Sequence, residues 1–346
     1  MQSKNIENKI ERRGIFLVRY LKTHNMAHAF TILFHGNCID GWFAAYIAQE
    51  ALKQSGTVQM FPISPTPSNH WPAATTMKNT HILMVDVSVE QVHRDTWIAA
   101  GALSVDIFDH HHTSVSQWQD GKIKVEHCAA IQVFQHFCPG IPVPEWLRMV
   151  DRIDRWDNPT EEDRCMREIF NQIAKKPVEQ RSCVEAIANT QLLMAHLDDP
   201  LMIQTYLEQG KVILHAKDNH LLGVLSKLGR IYTLTAEMCN TWQLPASWLG
   251  ANVFIVDNTE VVIDSTEAAH IVFMYHAGVD IFINYRKKSF LKKEKGSVSQ
   301  KTAYVYSARS RSFNMTEGTF LKGHPTSAGA SLTVGDVPCF PFIGAF

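Results

Sequence analysis

The sequence predicts a chain of the α/β class, with an N-terminal domain built on a parallel sheet, a helical connector and a smaller C-terminal α/β domain. Three observations support this prediction. Apolar runs alternate with helical segments up to residue 109, strand-like alternation is absent from residues 142 to 240, and strand patterns return after residue 246. Regular alternation of strand and helix is typical of a parallel sheet with helices on its faces. The predicted boundaries are an N-terminal extension (1–28), a sheet domain (29–160), a helical region and connector (161–245) and a C-terminal domain (246–346).

Four short apolar runs predict the strands of the first sheet. They are residues 30–34, 58–62, 81–85 and 103–108, and the segments 42–53 and 89–100 have the spacing of helices. Ligands of an open parallel sheet bind beyond the carboxyl ends of its strands. The loops that follow these runs are therefore expected to meet at one edge.

The rest of the chain predicts helices first and strands later. Periodic stretches at 182–196 and 206–216 indicate helices, and Pro245–Ser247 is predicted as a hinge. Asp264 and Glu267 form a possible capping box that opens a helix through Tyr275. Further strands are predicted at 253–256, 281–285 and 303–306. The basic, polar segment 287–301 is interpreted as a solvated hairpin tip, with a basic lip for an anionic substrate as the alternative.

The bulk composition narrows the class of protein. The net charge is -1, which gives no global attraction to long nucleic acid. Seven cysteines without a CxxC pair argue against a disulfide framework or a zinc ribbon and favour a reducing compartment. No apolar run approaches the roughly 18 residues that span a membrane. We expect a cytoplasmic protein without a membrane partner; the basic N-terminus keeps a mitochondrial location as the alternative.

Acidic residues and histidines collect where the predicted strands end. The first strand is followed by one group, the third by a single aspartate and the fourth by another group: His35, Cys38, Asp40; Asp86; Asp109, His110, His111, His112. Taken singly, such an aspartate is a turn former or helix cap, and such histidines form a polar loop. Three loops together favour a metal site. Carboxylates with imidazoles suit manganese, zinc, iron or magnesium, and shared carboxylates indicate two ions close together.

At these residues the chain resembles the DHH phosphoesterase superfamily. The segment 35–41 (HGNCIDG), Asp86 after its strand, and 109–111 (DHH) resemble the first three motifs of that superfamily, and 149–156 (MVDRIDRW) resembles the fourth. Downstream, 307–310 (SARS) and 323–329 (GHPTSAG) resemble the DHH-associated C-terminal domain of its oligoribonuclease-like and nucleotide phosphatase-like branch. The resemblance covers about residues 30 to 335.

The resemblance implies a role for each of these residues. One metal would be held by His35 and Asp86, with Cys38 beside them. The second would be held by Asp40, Asp86, His110 and a fourth-motif aspartate, either Asp154 or Asp151, with Asp154 slightly favoured. Asp86 would bridge the two ions, Asp109 would orient His110, and His111 would face the phosphoryl oxygens.

The same resemblance implies a substrate site in the C-terminal domain. Arg309 would make a bidentate contact with a phosphate. In the loop around His324, backbone N–H groups are expected to approach an anion closely. The full set is Arg309, Ser310, Gly323, His324 and Gly329. The alternative to an anion-binding role is that the glycines form an ordinary tight turn.

The expected function is metal-dependent hydrolysis of a phosphodiester or phosphomonoester bond in a small nucleotide or short oligonucleotide. The water would be activated between two divalent ions, with Mn²⁺ expected and Mg²⁺ as the alternative. The neutral charge argues against a processive nuclease on long DNA. One alternative is a polyphosphate or pyrophosphate hydrolase, against which the His-Pro loop argues. Whether the chain forms a homo-oligomer is left open.

Cys38 is the main departure from the family pattern, because many members have an aspartate there. It could ligate a metal as a thiolate, leave the first site weaker, or limit the protein to one ion. It is also the only support for a second alternative, a catalytically decayed nucleotide-binding protein. Lys322 stands where a further glycine is common, and His112 is expected to have a surface role.

Overall fold

A computed structural model of the protein describes residues 28–63, 71–115, 118, 123–157, 159–174, 183–197, 199–241, 244–257, 263–294, 297–313, 322–324 and 327–333. The chain divides into two compact units, 1–214 and 215–346. This division lies inside the predicted connector. The predicted N-terminal extension falls almost wholly outside the described residues, as do Pro325 and Thr326. No helix in the described ranges is long and apolar enough to cross a membrane.

The first unit begins with the predicted alternation of strands and helices and continues as a run of helices. Its elements are β1 (His28–His35), α1 (Ile39–Leu52), β2 (Gly56–Ile63), β3 (Thr80–Val85), α2 (Gln91–Ala99), β4 (Ser104–Phe108), α3 (His112–Val115), α4 (Ala129–Phe137), α5 (Glu145–Asp154), α6 (Glu161–Ala174), α7 (Cys183–His196) and most of α8 (Pro200–Leu228). The four strands lie in the order β2-β1-β3-β4, and every pair is parallel. The predicted fold class and parallel sheet are confirmed.

Helix α1 packs unusually closely against the end of β1. A Cβ atom added at Gly41 would lie 2.2 Å from the carbonyl oxygen of His35, so only glycine fits there. Trp42 donates a hydrogen bond from Nε1 to the carbonyl oxygen of Gly36 at 2.9 Å, and its ring meets Phe34 edge-on at 4.5 Å. These contacts fix the loop between β1 and α1, which carries Cys38.

Asp163 joins helices α5 and α6, because it forms an ion pair with α5 and caps the start of α6. Arg152 donates two hydrogen bonds of 2.8 Å to the carboxylate of Asp163, whose side chain is fully buried. Asp163 also accepts from the backbone N–H of Thr160, and Thr160 Oγ1 accepts from the N–H of Asp163, which is a capping box. The carboxylate therefore holds both the start of α6 and the side of α5.

The second unit contains a six-stranded mixed sheet. Its elements after α8 are β5 (Gly229–Thr233), α9 (Ala236–Thr241), β6 (Asn252–Asp257), α10 (Ser265–Tyr275), β7 (Ile281–Glu294), β8 (Ser297–Ser310), β9 (Lys322–His324) and β10 (Ser327–Thr333). The strand order is β5-β6-β7-β8-β10-β9, with only the β6–β7 pair parallel. Asp264 accepts hydrogen bonds from the backbone N–H groups of Thr266 and Glu267, so the predicted N-terminus of α10 is confirmed.

Several local predictions for this unit were incomplete. Strand β5 was not predicted, because its five residues directly follow a helix of 29 residues and pair with β6. The segment 287–301 was predicted as a hairpin tip. It does lie between antiparallel strands, but most of it belongs to β7 and β8 themselves, which pair out to Glu294 and Ser297. The predicted hinge at Pro245 leads into a 3₁₀ turn inside the second unit, where Trp248 is buried.

Candidate metal centre

Three loops of the first unit meet at the carboxyl edge of its parallel sheet. They follow β1, β3 and β4, and the C-terminal end of α5 joins them. Seven of the predicted site residues have side-chain atoms in contact there: His35, Cys38, Asp40, Asp86, His110, His111 and Asp154. The convergence expected from the strand ends is therefore present.

One group of potential ligands contains a sulfur atom. The Sγ atom of Cys38 donates to Asp86 Oδ2 at 2.8 Å, and Nδ1 of His35 lies 3.2 Å from the same oxygen. The three ligand atoms all lie within 4.8 Å of one another. This is the set that the resemblance assigned to the first metal.

A second group surrounds the imidazole of His110. Its Nε2 atom lies 3.1 Å from Asp154 Oδ2, 3.3 Å from Asp86 Oδ1 and 3.9 Å from Asp40 Oδ2. Asp86 thus contributes one oxygen to each group. Asp86 is the residue for which the resemblance implies a bridging position, and that role stays a prediction.

Asp40 is held by the N-terminus of helix α4. Its two carboxylate oxygens accept hydrogen bonds of 2.8 Å from the backbone N–H groups of Ala129 and Ala130. The cap position of this helix is Cys128, whose side chain makes no cap hydrogen bond. We did not predict this role for the two amides. A helix start without a local capping residue was the available signal that a distant carboxylate caps it.

The two aspartates of the fourth motif face different surroundings. Asp154 lies with the cluster, its Oδ1 atom 3.6 Å from the sulfur of Cys38. Asp151 instead accepts from the backbone N–H of Cys128 at 2.6 Å and from Arg155 Nε at 3.0 Å. The geometry brings Asp154 to the site and gives Asp151 a structural contact.

The carboxylate of Asp109 contacts the side chain of His111. Its Oδ1 atom lies 2.7 Å from His111 Nδ1 and accepts the backbone N–H groups of His110 at 2.8 Å and of His111 at 3.3 Å. The orientation of the His110 ring by Asp109 stays a prediction. The turn after β4 brings the second histidine over the carboxylate.

Several groups of the cluster hold protons, because buried carboxylates lie close together there. Burial, followed by the charges of Asp86 and Asp154, raises the pKa of Asp40 and of the Cys38 thiol well above their ordinary values. Burial alone would lower the pKa of His110, but hydrogen bonds to Asp154 and Asp86 raise it to about 12. Burial alone would raise the pKa of Asp86, but hydrogen bonds from His110 and His35 lower it. The side chains thus retain protons that a divalent cation could replace.

Two features of Asp86 support a cation at this position. Its Oδ1 atom is fully buried and faces Nε2 of His110 at 3.3 Å, a nitrogen that carboxylate oxygens of Asp154 and Asp40 also approach. Its backbone has a φ angle of 57°, in the left-handed region that costs energy for a side-chain-bearing residue. Such local strain is typical of functional positions. The donor set therefore fits a divalent metal.

The predicted substrate residues lie in the second unit. Arg309 donates from Nη2 to Thr266 Oγ1 at 2.9 Å and from Nη1 to the carbonyl oxygen of Ala308 at 2.8 Å. Thr266, in the first turn of α10, was not predicted; a hydroxyl just inside a capping box was the only signal. The hydroxyl of Ser310 accepts the backbone N–H groups of Ser312 and Phe313, so it serves a turn.

The glycine-rich segment forms strands rather than an open loop. Gly323 pairs with Ala328, and Gly329 pairs with Lys322, in the hairpin of β9 and β10. His324 is opposite Ser327, which in turn pairs with Arg309 of β8. The backbone around His324 therefore lies at the same end of the sheet as Arg309. The remaining residues of the predicted anion loop, Pro325 and Thr326, lie outside the described residues. The side chain of His112 is also outside the description; its backbone begins α3.

Comparison with known proteins gives matches in structure only. No protein-family model matches the sequence, and no curated protein matches it. The pGpG-specific phosphodiesterase PggH from Vibrio cholerae is similar over 89% of this chain and 94% of that chain, with 14% identity and a TM-score of 0.44. Exonuclease RecJ bound to manganese is similar over 94% of this chain and 91% of that chain, with 12% identity and a TM-score of 0.45.

A third structure, RecJ from Thermus thermophilus in complex with Mn²⁺, is similar over 96% of this chain and 53% of that chain. The identity is 13% and the TM-score 0.46. This chain thus spans about half of that RecJ structure. At the level of its motifs, the protein is an α/β chain that resembles the DHH phosphoesterase superfamily and places the residues of all four N-terminal motifs at one sheet edge.

Proposed function

We propose that this chain is a metal-dependent phosphoesterase that hydrolyses a phosphodiester or phosphomonoester bond in a small nucleotide or short oligonucleotide. The observation that carries the proposal is the cluster at the carboxyl edge of the first sheet. It brings three carboxylates, three imidazoles and one thiol into contact from four separate segments. A purely structural role would not require so many ionisable groups in one buried place.

The chain offers ligands for two divalent ions. His35, Cys38 and Asp86 form one set; Asp40, Asp86, His110 and Asp154 form the other. Two bound ions, Mn²⁺ or Mg²⁺, would supply charge neutralisation for a phosphoryl group and an activated water. Asp86 ties the two sets together because each of its oxygens faces one of them.

His111 is the cluster member best placed to meet a substrate. Its side chain is 37% exposed, whereas those of Asp86 and His110 are nearly inaccessible. Burial alone would lower the pKa of His111, but its contact with Asp109 raises the pKa. With Nδ1 facing Asp109, the other ring nitrogen of the charged form is a donor for a phosphoryl or leaving-group oxygen.

The second unit has a candidate anion-binding group of its own. The guanidinium of Arg309 is held by Thr266 and by a backbone carbonyl, so its orientation is set before an anion arrives. Preorganised guanidinium groups bind phosphate well because two N–H groups can donate together. The net charge of -1 argues for a small substrate held by local groups instead of a long polyanion.

The test is hydrolysis by the full chain with added Mn²⁺. The substrates are a dinucleotide, a short oligoribonucleotide, a mononucleotide ester, pyrophosphate and long single-stranded DNA. We expect product from the small nucleotides, loss of activity in Asp86→Ala and unchanged activity in the control Asp95→Ala, an exposed position on α2. Absence of product above a metal-free control would contradict the proposal.

The same panel separates the alternatives. Release of phosphate from pyrophosphate or polyphosphate alone would favour an anhydride hydrolase. Binding of a nucleotide without turnover, in a protein that keeps no metal, would favour a decayed binding protein. Both alternatives predict no cleavage of the dinucleotide.

A further inference from the structure

We propose that the two halves of the metal centre select different ions, with a thiophilic ion, Zn²⁺, at His35, Cys38 and Asp86. The harder ion, Mn²⁺ or Mg²⁺, binds at Asp40, Asp154 and His110. This inference rests on the proposed function, because that function requires two ions. It refines the expectation of a uniform manganese pair.

The position of the Cys38 sulfur supports the division. Cys38 is the residue that precedes α1, yet its side chain makes no cap hydrogen bond to that helix. Its Sγ atom instead lies 2.8 Å from Asp86 Oδ2, an oxygen that His35 Nδ1 approaches at 3.2 Å. The sulfur is therefore turned into the cluster, next to a nitrogen and an oxygen donor that one ion can share with it.

The donor chemistry of the two halves differs. Nitrogen, sulfur and a single carboxylate form the first half, a combination typical of Zn²⁺, which accepts thiolate, imidazole and carboxylate. The second half offers carboxylates from Asp40, Asp86 and Asp154 with one imidazole. The Cys38 sulfur lies 3.6 Å from Asp154 Oδ1 but only 2.8 Å from Asp86 Oδ2, so its nearer carboxylate contact is in the first half. Carboxylate-rich sites suit Mn²⁺ and Mg²⁺.

The other described cysteines do not offer an equivalent donor set. Cys138, Cys165 and Cys239 are buried and belong to no group of potential ligands in the described part of the chain. Cys128 is buried at the start of α4 and is likewise outside these groups. Among the described cysteines, Cys38 alone combines a sulfur with a histidine and an aspartate.

The experiment uses cobalt as a spectroscopic probe of the full chain. Wild type, Cys38→Ser, Cys38→Asp and the control Cys239→Ala are stripped of metal and titrated with Co²⁺. Thiolate ligation gives a near-ultraviolet charge-transfer band that carboxylate and imidazole ligands do not give. We expect the band in wild type and Cys239→Ala and its loss in both Cys38 variants. Circular dichroism confirms that each variant is folded.

A competition measures the selectivity. Each protein is dialysed against equal Zn²⁺ and Mn²⁺, and bound metal is counted by elemental analysis. Wild type is expected to retain one Zn²⁺ per chain, and Cys38→Asp to lower the preference for Zn²⁺ over Mn²⁺ at that position by about tenfold or more. When Zn²⁺ is added to the cobalt form, the charge-transfer band should disappear before the second cobalt ion is displaced.

The outcomes separate this inference from the proposed function. Two bound cobalt ions without a charge-transfer band would overturn the inference while leaving the phosphoesterase proposal intact. A band that persists in Cys38→Ser would assign the sulfur to another cysteine and overturn it as well. Failure of wild type to bind any cobalt would overturn both, and Mn²⁺-dependent hydrolysis is measured on the same samples to make that distinction.

Discussion

Replacing the two aspartates of the fourth motif one at a time should separate structure from catalysis. Asp151 accepts the backbone N–H of Cys128 at 2.6 Å and the Nε of Arg155 at 3.0 Å. Asp151→Ala leaves a buried N–H group without its acceptor, which costs about 1–3 kcal/mol, and removes a charged contact near the start of α4, which adds about 1 kcal/mol. We therefore expect a loss of about 2–4 kcal/mol in the free energy of unfolding.

Asp154→Ala should behave in the opposite way. Removing this carboxylate relieves its repulsion with Asp40 and Asp86 while costing its contact with His110. These effects offset each other, so the metal-free protein should change in stability by less than about 1 kcal/mol. The proposed second metal loses a ligand, and hydrolysis should fall by at least roughly a hundredfold.

The assay is urea unfolding of metal-free samples, followed by metal analysis and hydrolysis rates on folded protein. Chelation before unfolding matters because any bound ion stabilises the folded state by mass action. An Asp151→Ala protein that keeps its stability but loses its metal would refute the assignment. So would an Asp154→Ala protein with wild-type metal content and rate.

Three further changes test other contacts. Gly41→Ala places a Cβ atom 2.2 Å from a backbone carbonyl oxygen and should destabilise the protein by about 2–3 kcal/mol or more, as measured by urea unfolding. Asp109→Asn removes the charge that raises the pKa of His111. It should lower kcat by about tenfold to a thousandfold and shift the alkaline limb of the pH–rate profile to lower pH. The metal content should stay unchanged. Burial alone would raise the pKa of Asp163, but its hydrogen bonds, led by the one from Arg152, lower it. The ion pair therefore stabilises the fold fully above the unfolded pKa of about 3.9. This stabilisation decreases as the pH falls through the pKa of the folded state. Asp163→Asn should therefore cost about 2–4 kcal/mol near neutral pH, a difference that shrinks in unfolding curves recorded at more acidic pH.

Each of these tests has a specific result that would contradict it. A Gly41→Ala protein as stable as wild type would mean that β1 and α1 can separate without cost. An Asp109→Asn variant with a lower rate but an unchanged pH profile would remove the proton role of His111. A stability difference for Asp163→Asn that is the same at every pH would show that the charge of the pair contributes nothing.

The strand ends were predictable because both the strands and their loops leave local signals. Short apolar runs such as 81–85 end in a polar residue that must leave the sheet, so Asp86 could be placed at the edge from the pattern alone. Parallel pairing then required the loops after β1, β3 and β4 to lie near one another. The cluster follows from these two facts without knowledge of any side-chain conformation.

The choice between Asp151 and Asp154 could not be made in this way. The two residues are three positions apart on α5, so they lie on the same side of one helix and their spacing does not distinguish them. Which of the two meets the metal cluster depends on where the N-terminus of α4 lies, and that is a tertiary contact without a local signature. The same holds for the pairing of Asp109 with His111, which a turn of the backbone decides.

Short or extended strands of the second unit were missed for a related reason. A five-residue strand such as β5 has little pattern of its own and is stabilised by its ladder with β6. The basic residues of β7 and β8 predicted solvent exposure, and that prediction is equally compatible with two long paired strands. Composition carries no information on which backbone structure these residues adopt.

The left-handed backbone at Asp86 has a consequence for laboratory evolution of this protein. Glycine adopts that conformation without cost, so Asp86→Gly would relieve the backbone strain but would also remove the carboxylate that His35, Cys38 and His110 contact. These two effects on stability oppose each other, so a screen that rewards only heat resistance puts little pressure on this position to keep its aspartate. Stabilised variants should therefore be selected under conditions that also demand turnover.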